Sequence, residues 1–567
     1  MKKGKRLAAL GLAAAMTAMA VSGCGNGSGN GNADSAGGTS AAGSSKAGTT
    51  AAETGGVVNE VKKTGLPIVD QQETLKVMVL TNYPELKGED VVIHQEIQAA
   101  TNVKIEFEII PRTSWEEKKG LTLAQSELPD IIMGNEVFTD TDMLNMAAAG
   151  QIIPLEGLLE DYGENFKTLC ENEPGLRPSL LTEDGHIYAL PRYIGIGDGN
   201  GPGILSTNLV TYINQTWLDK LGLEMPKTTE DFEKVLAAFK SGDPNGNGIA
   251  DEVPLTTVAN NFYFDDYFGA FGIIPQNNEN TYKNIGMKDG RAIFSAAQEE
   301  YKNAVKYFNN LWQQGVLDPE SFTQDTTMFN AKLKNPTRTV GAFTSWRGTS
   351  WRLSEEDTEY AVMPPLTGPN GDRLYAKMYN GISSRCAFVI TSSCRNPELA
   401  MRWGDYLLEP DIAYQFWTSA KIGYNIEKNS SGTFDLIKQM VVDDPEQIKQ
   451  VAYGFTCVDA KNEARKPVDP DPLNVDNEKG AADQLFKDAY PKEHYPNVFL
   501  TMEEGKKIAE LGNDINAYVE QCYAKWITKG GIDEEWDSYI QKLNNMGLEE
   551  YMSQYQNALE RYQKNFQ

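Results

Sequence analysis

Histidine is almost missing from this chain of 567 residues: only His94, His186 and His494 occur, without the spacing that metal ligands or a catalytic relay need. Cysteine is nearly as scarce. Beyond Cys24 the chain has Cys170, Cys386, Cys394, Cys457 and Cys522, an odd, widely spaced set with no CxxC pair, which excludes a disulfide framework and a zinc cluster. A bridge between Cys386 and Cys394 across a strand turn is one option; small buried hydrophobes are the other. Basic residues are outnumbered, 52 Lys and Arg against 79 Asp and Glu for a formal charge of −27, which disfavours nucleic acid and anionic membrane surfaces as partners. After the first 24 residues no apolar run reaches the roughly 18 residues of a membrane helix. GxSxG, HExxH, P-loop and dinucleotide motifs are also absent, so the chemistry they carry is not indicated. A glycoside hydrolase needs only two carboxylates across the scissile bond, and with so many acids that alternative stays open.

What is present begins with an export signal. Lys2, Lys3, Lys5 and Arg6 precede an apolar stretch from Leu7 to Ala20, and Val21-Ser22-Gly23-Cys24 resembles the bacterial lipobox, which implies diacylation (palmitate) on Cys24. Residues 1–23 are thus expected to be a signal peptide and 24–62 a lipid-anchored tether, rich in Gly, Ser, Ala, Asn and Thr and unable to bury a core. About 500 residues of globular composition follow, enough for more than one domain.

In that remainder, residues 75–80, 103–110 and 128–134 read as strands by alternation or short apolar runs, as do 338–343 and 385–390. Phe232, Val235, Leu236 and Phe239 repeat at helical spacing behind Thr228 and Thr229, candidate N-caps. Tyr301, Val305, Phe308, Leu311 and Trp312 mark another helix, Pro397 opens a third, and the last ninety residues are helical with glycine breaks. The alternation predicts an α/β fold with largely parallel sheets.

The segment SGDPNGNGIADEVPL reads as a calcium loop, with Asp243, Asn245, Asn247, the Ile249 carbonyl, Asp251 and Glu252 as oxygen ligands. Counted from Asp243, positions 1 to 7 match an EF-hand, with Gly248 at the sharp turn. Position 12 is Pro254, which has no side-chain oxygen, so a full EF-hand is excluded. An Asn/Gly turn after a helix is the bland alternative.

The order of SELPDIIMGN, GQIIPLEGLL, GHIYALPRY, TYINQTWLDKLGLEMPKTTEDF, DPNGNGIADEVPL, GVLDPESFTQD, VGAFTSW and NPELAMRWGDYLL, closing on EEWDSYIQKLNNMGLEEYMSQYQNALERY, resembles the extracellular solute-binding proteins (family 1 type) of bacterial ABC importers. The likeness runs from Cys24 to the C-terminus and is to the large lipoprotein members of Gram-positive bacteria. Among these the chain is similar to calcium-containing oligosaccharide binders. The resemblance implies a two-lobed, type II periplasmic-binding-protein-like fold, each lobe an α/β sandwich, with the ligand cleft between them. It places lobe 1 at 63–195 plus 375–410 and lobe 2 at 196–374 plus 411–567. It also implies a shorter calcium loop, 243–252, that ends in the Asp251–Glu252 pair, with the ion structural. The implied function is capture of an oligosaccharide by a monomer at the outer face of the cell membrane, held by lipid alone, and delivery to ABC transporter permease subunits, without catalysis. The alternatives are a secreted glycoside hydrolase and a sugar-sensing ectodomain.

Sugar recognition needs flat aromatic faces and planar or charged hydrogen-bonding groups on loops at strand ends. Trp346, Arg347 and Trp351, after the strand at 339–343, are candidates; the alternative is a surface loop whose tryptophans cap a lobe. Tyr379 and Asn380, at an expected crossing, are candidates too, with Arg192 and Tyr193, Asn135, and Asn82 and Tyr83. Trp312 and Trp403 lie on apolar helical stripes and read as core. The arginines favour ligands with a carboxylate or many hydroxyls.

Overall fold

The apolar run over 75–80 and the alternation over 103–110 create two nine-residue strands, β1 (Glu73–Thr81) and β2 (Val103–Pro111), parallel and in register from Glu73 opposite Val103 to Thr81 opposite Pro111. In β1 the two-residue period divides the side chains between two buried layers: Val77 and Val79 enter one core, Met78 and Leu80 another. The computed structural model describes residues 59–566 apart from 126, 196–208, 259–263, 275–282, 347, 355–356, 378–380, 439–443, 464 and 466–474. Cys24, Arg347, Tyr379 and Asn380 therefore lie outside the described residues.

The remaining strands are β3 (Ile131–Met133), β4 (Leu190–Ile194), β5 (Val210–Asn214), β6 (Val253–Leu255), β7 (Ile285–Lys288), β8 (Arg291–Phe294), β9 (Val340–Ser345), β10 (Tyr360–Val362), β11 (Ile382–Ile390), β12 (Ile426–Lys428), β13 (Phe434–Leu436) and β14 (Cys457–Val458). A six-stranded sheet has the order β14-β4-β11-β3-β1-β2, with β11 the antiparallel member. A four-stranded sheet has the order β10-β5-β9-β6 and is antiparallel except where β6 meets β9. The expectation of largely parallel sheets thus holds for the first and fails for the second. Short apolar strands look alike in either direction, so the sequence carries little signal of it.

Helices cover both sheets. Thr228 caps the helix Thr229–Ser241 in a reciprocal capping box with Asp231, and Phe232, Val235, Leu236 and Phe239 are buried on one face. The helix Glu299–Gln313 buries Tyr301, Val305, Phe308 and Leu311. Trp403 is fully buried, and Trp312 is half-buried against Phe322. Three helices, Met502–Lys529, Ile532–Asn545 and Leu548–Phe566, close the chain.

Two bodies emerge from the packing. The first joins Val77, Phe166, Phe388 and Trp403 with Ile412, Phe416, Val451, Phe455 and Cys457. The expected boundary at 410 is therefore too early: β14 completes the first sheet, and the chain up to about 458 packs with it. The second body holds the four-stranded sheet and the C-terminal helices. Cys170, Cys386, Cys394, Cys457 and Cys522 are free thiols, so the 386–394 bridge is not formed.

Candidate functional site

β1, β2, β3, β4 and β14 point the same way, so their carboxyl ends share one edge of the six-stranded sheet, where β11 begins. In open α/β sheets ligands bind at that edge. Two glycines border this edge. Gly195 follows β4 and Gly381 precedes β11, and a methyl group on either would collide with backbone, Ala460 N at 2.1 Å in the first case and Ile194 O at 1.5 Å in the second. Only glycine lets these segments run so close.

On the edge stand Asn82 and Tyr83 after β1, Arg112 after β2, Asn135 and Glu136 after β3, Arg192 in β4 and Ser383 in β11. Asn82 is exposed; the Tyr83 N–H donates to Thr81 Oγ1 (3.0 Å), and the Tyr83 carbonyl accepts from the Tyr453 hydroxyl (3.2 Å). Asn135 Oδ1 accepts from the Thr456 N–H (3.0 Å), which ties β3 to the approach of β14. Arg112 donates to the Asn135 carbonyl, and Arg192 donates to Ser383 Oγ. Glu136 lies between the two arginines, 3.5 Å from Arg112 Nη1 and 3.8 Å from Arg192 Nη1, with a backbone φ of +62°. Arg112, Glu136 and Ser383 were not among the sequence candidates. For Arg112 and Glu136 the signal, a polar residue just past a strand end, was available beside Asn135; Ser383 lies inside β11 and carried none.

In the second body, β9 ends next to the start of β5, Val210 opposite Ser345. The Trp346 side of this end carries an indole 42% exposed, with the Lys479 ammonium over its ring. Trp351 is different. It is 1% exposed and packs edge-on against Tyr212 and Tyr360, so it is a core residue with no face for a ligand. Tyr193 is also turned inward, its hydroxyl donating to Glu173 Oε2 (2.8 Å), and burial raises its phenol well above the usual range. Both depart from the expected ligand-facing role.

The bodies are tied behind this edge by Arg385 of β11, which is buried. Its Nη1 pairs with Asp140 (2.6 Å), its Nε donates to the Ser179 carbonyl (2.8 Å) and its Nη2 to the Val498 carbonyl (2.8 Å). His94 Nε2 sits 3.0 Å from the carbonyls of Ala452 and Tyr453, and burial pulls its pKa down to about 4, so the ring is neutral.

The loop after the helix Thr229–Ser241 winds on itself, with Asp243, Gly246 and Gly248 at positive φ (44°, 73° and 73°). Asp243 accepts from the N–H groups of Asn247 and Gly248 (both 3.1 Å), Asn245 Oδ1 from Asn247 N–H (3.0 Å) and Asn247 Oδ1 from Ile249 N–H (2.7 Å). Asp251 receives the amide groups of Asn245 (3.0 Å) and Asn247 (3.1 Å). Glu252 Oε1 is buried without a partner, and its pKa is raised by burial and by Asp251 and Asp243. Among the described residues no three His, Cys, Asp or Glu side chains form a metal cage. The loop's donors are mixed carboxylates and amides, and an orphaned carboxylate oxygen beside two more acids fits a hard cation.

Residues 83–414 match the family described as bacterial extracellular solute-binding protein. The chain is 33% identical over 524 residues, 88% of its own length and 92% of the relative's, to the fructooligosaccharide ABC transporter substrate-binding protein FusA of Streptococcus pneumoniae. The solved structure of FusA in complex with kestose has a TM-score of 0.68 at 30% identity and covers 87% of this chain and 100% of that one. A FusA EF-hand mutant in complex with fructo-nystose gives 0.67 at 30% identity, with the same coverage. Among the described residues no helix is long and apolar enough to cross a membrane. The parallel strand ends and these matches lead to one assignment: the chain belongs to the bacterial extracellular solute-binding proteins, with the type II fold of that family.

Proposed function

We propose that this protein captures an oligosaccharide outside the cell and delivers it to ABC transporter permease subunits, itself performing no chemistry. The observation that carries the reading is the sheet edge where Arg112, Glu136 and Arg192 gather, with Asn82 at the neighbouring strand end, in a chain 33% identical to a fructooligosaccharide ABC transporter substrate-binding protein. The two bodies act as lobes that close on the sugar, with Trp346 supplying a flat face and the edge residues supplying hydroxyl partners. Arg347, Tyr379 and Asn380 remain candidates on the same segments.

Cys24 serves as the lipid anchor of a monomeric receptor, and the stretch after it as the tether at the membrane surface, shorter than the expected 24–62 because Val61 packs into the first core. The loop 243–252 is a structural Ca2+ site, held by Asp243, Asn245, Asn247, the Ile249 carbonyl, Asp251 and Glu252, with the amides turning their oxygens inward. The relative solved as an EF-hand mutant supports a cation loop in this branch. Bound calcium would supply only charge neutralisation and a local brace.

Titration calorimetry of the purified protein against kestose, nystose and maltotriose, with product analysis of the same samples, tests this. Saturable 1:1 heat with intact sugar is expected; turnover would move the protein to the hydrolase reading.

A further inference from the structure

Glu136 is the least expected member of the edge. A residue with a Cβ at φ +62° is uncommon, and such conformations persist where the surroundings impose them. Here the surroundings are explicit. The preceding carbonyl, of Asn135, is held by Arg112, and the Asn135 side chain is held by the Thr456 N–H. The outcome is a carboxylate projecting between two guanidinium groups while its side chain stays 56% exposed. Its 3.5 and 3.8 Å separations from them are longer than a close charge-assisted hydrogen bond.

Resting on the oligosaccharide reading above, we propose that Glu136 makes this site selective for neutral, hydroxyl-rich sugars and excludes those bearing a carboxylate. Arg112 and Arg192 alone would make an anion clamp, the fork geometry that takes carboxylates with two parallel hydrogen bonds. Glu136 stands where such an anion would dock. A sugar hydroxyl both donates and accepts, so it can give its proton to Glu136 and take one from an arginine in a single contact. A uronate carboxylate only accepts. It gains from the arginines and is repelled by Glu136 a few ångströms away, more strongly as lobe closure removes water. Specificity of this kind rests on a repulsive element as much as on an attractive one.

The test compares wild type with Glu136→Gln by titration calorimetry at low salt, using kestose, nystose and maltotriose as neutral probes and trigalacturonate as the acidic one. Melting temperatures of both unliganded proteins are recorded. Wild type is expected to prefer a neutral probe over trigalacturonate by about tenfold or more, since like charges oppose binding strongly at close range. E136Q is expected to gain about tenfold toward trigalacturonate, lose affinity for the neutral sugar, and melt as wild type does. A merely structural Glu136 would give no gain. Should E136Q fail to fold, Glu136→Asn carries the same comparison, because Asn tolerates positive φ. Wild type binding trigalacturonate as well as the neutral sugars, or a variant with no acidic gain, overturns the proposal alone. Wild type binding none of the four overturns the oligosaccharide reading as well.

Discussion

Trp346 and Trp351 stand five residues apart and have opposite fates. The chain leaves β9 with Trp346 exposed, makes a 3-10 turn over Gly348–Ser350, and returns Trp351 to the core beside Tyr212 and Tyr360. Trp346→Ala is therefore expected to weaken sugar binding by about tenfold, the effect of losing an aromatic anchor, while leaving the melting temperature within a degree or so. Calorimetry and a thermal melt check both halves. Arg192 and Tyr193 divide for a simpler reason. Neighbours on a strand face opposite sides, so both cannot look into one cleft, and the residue pattern alone did not say which would.

Glu252 gives a prediction with a definite sign. Without a cation its carboxyl is held above the usual range, so the folded state keeps that proton to a higher pH than the unfolded chain does. Stability of the cation-free protein therefore falls as pH rises through the interval just above the ordinary glutamate value. Calcium needs the ionised carboxylate, so its stabilisation should be full at pH 7 and shrink as pH drops through that interval. At a hundred times its Kd calcium should add about 2.7 kcal/mol of stability. Differential scanning fluorimetry with calcium and with chelator, at pH 7 and near 4.5, measures this; equal shifts at both pH values would contradict it.

Elements were legible where local chemistry and periodicity agreed. Thr228 was readable as a cap, and its capping box with Asp231 makes Thr228→Ala a loss of about 1 kcal/mol in a denaturant melt. The strands at 75–80 and 103–110 were plain for different reasons: the second alternates as its burial does, whereas the first turns apolar where both its faces are buried. β14 was not. Two residues have no period, and their place beside β4 is set by tertiary contacts with Tyr193 and Ile194. The early boundary at 410 follows from missing it. Gly381 was equally silent as a single letter. Its Cβ would lie 1.5 Å from the Ile194 carbonyl, so Gly381→Ala should push β4 and β11 apart, lowering the melting temperature and sugar affinity together. A variant that melts and binds as wild type would show that the two strands relax freely.

At the scale of the whole molecule, the proposed function rests on the carboxyl edge of the six-stranded sheet. The family, and with it the two-body plan, could be read from an ordered series of phrases along the chain. The Arg112–Glu136–Arg192 constellation could not, because its members come from three separate strands, β2, β3 and β4, or the residues just after them, that only the sheet order brings together. Arg385 links the first sheet to the rest of the molecule: a buried guanidinium in β11 holds the Val498 carbonyl of the segment that leads into the C-terminal helices. A crystal structure of the protein grown with kestose is the most direct test. The account predicts an intact trisaccharide at the carboxyl edge of the six-stranded sheet, touching Glu136 and an arginine on one side and Trp346 on the other. A sugar bound away from that edge, or found cleaved, would contradict it.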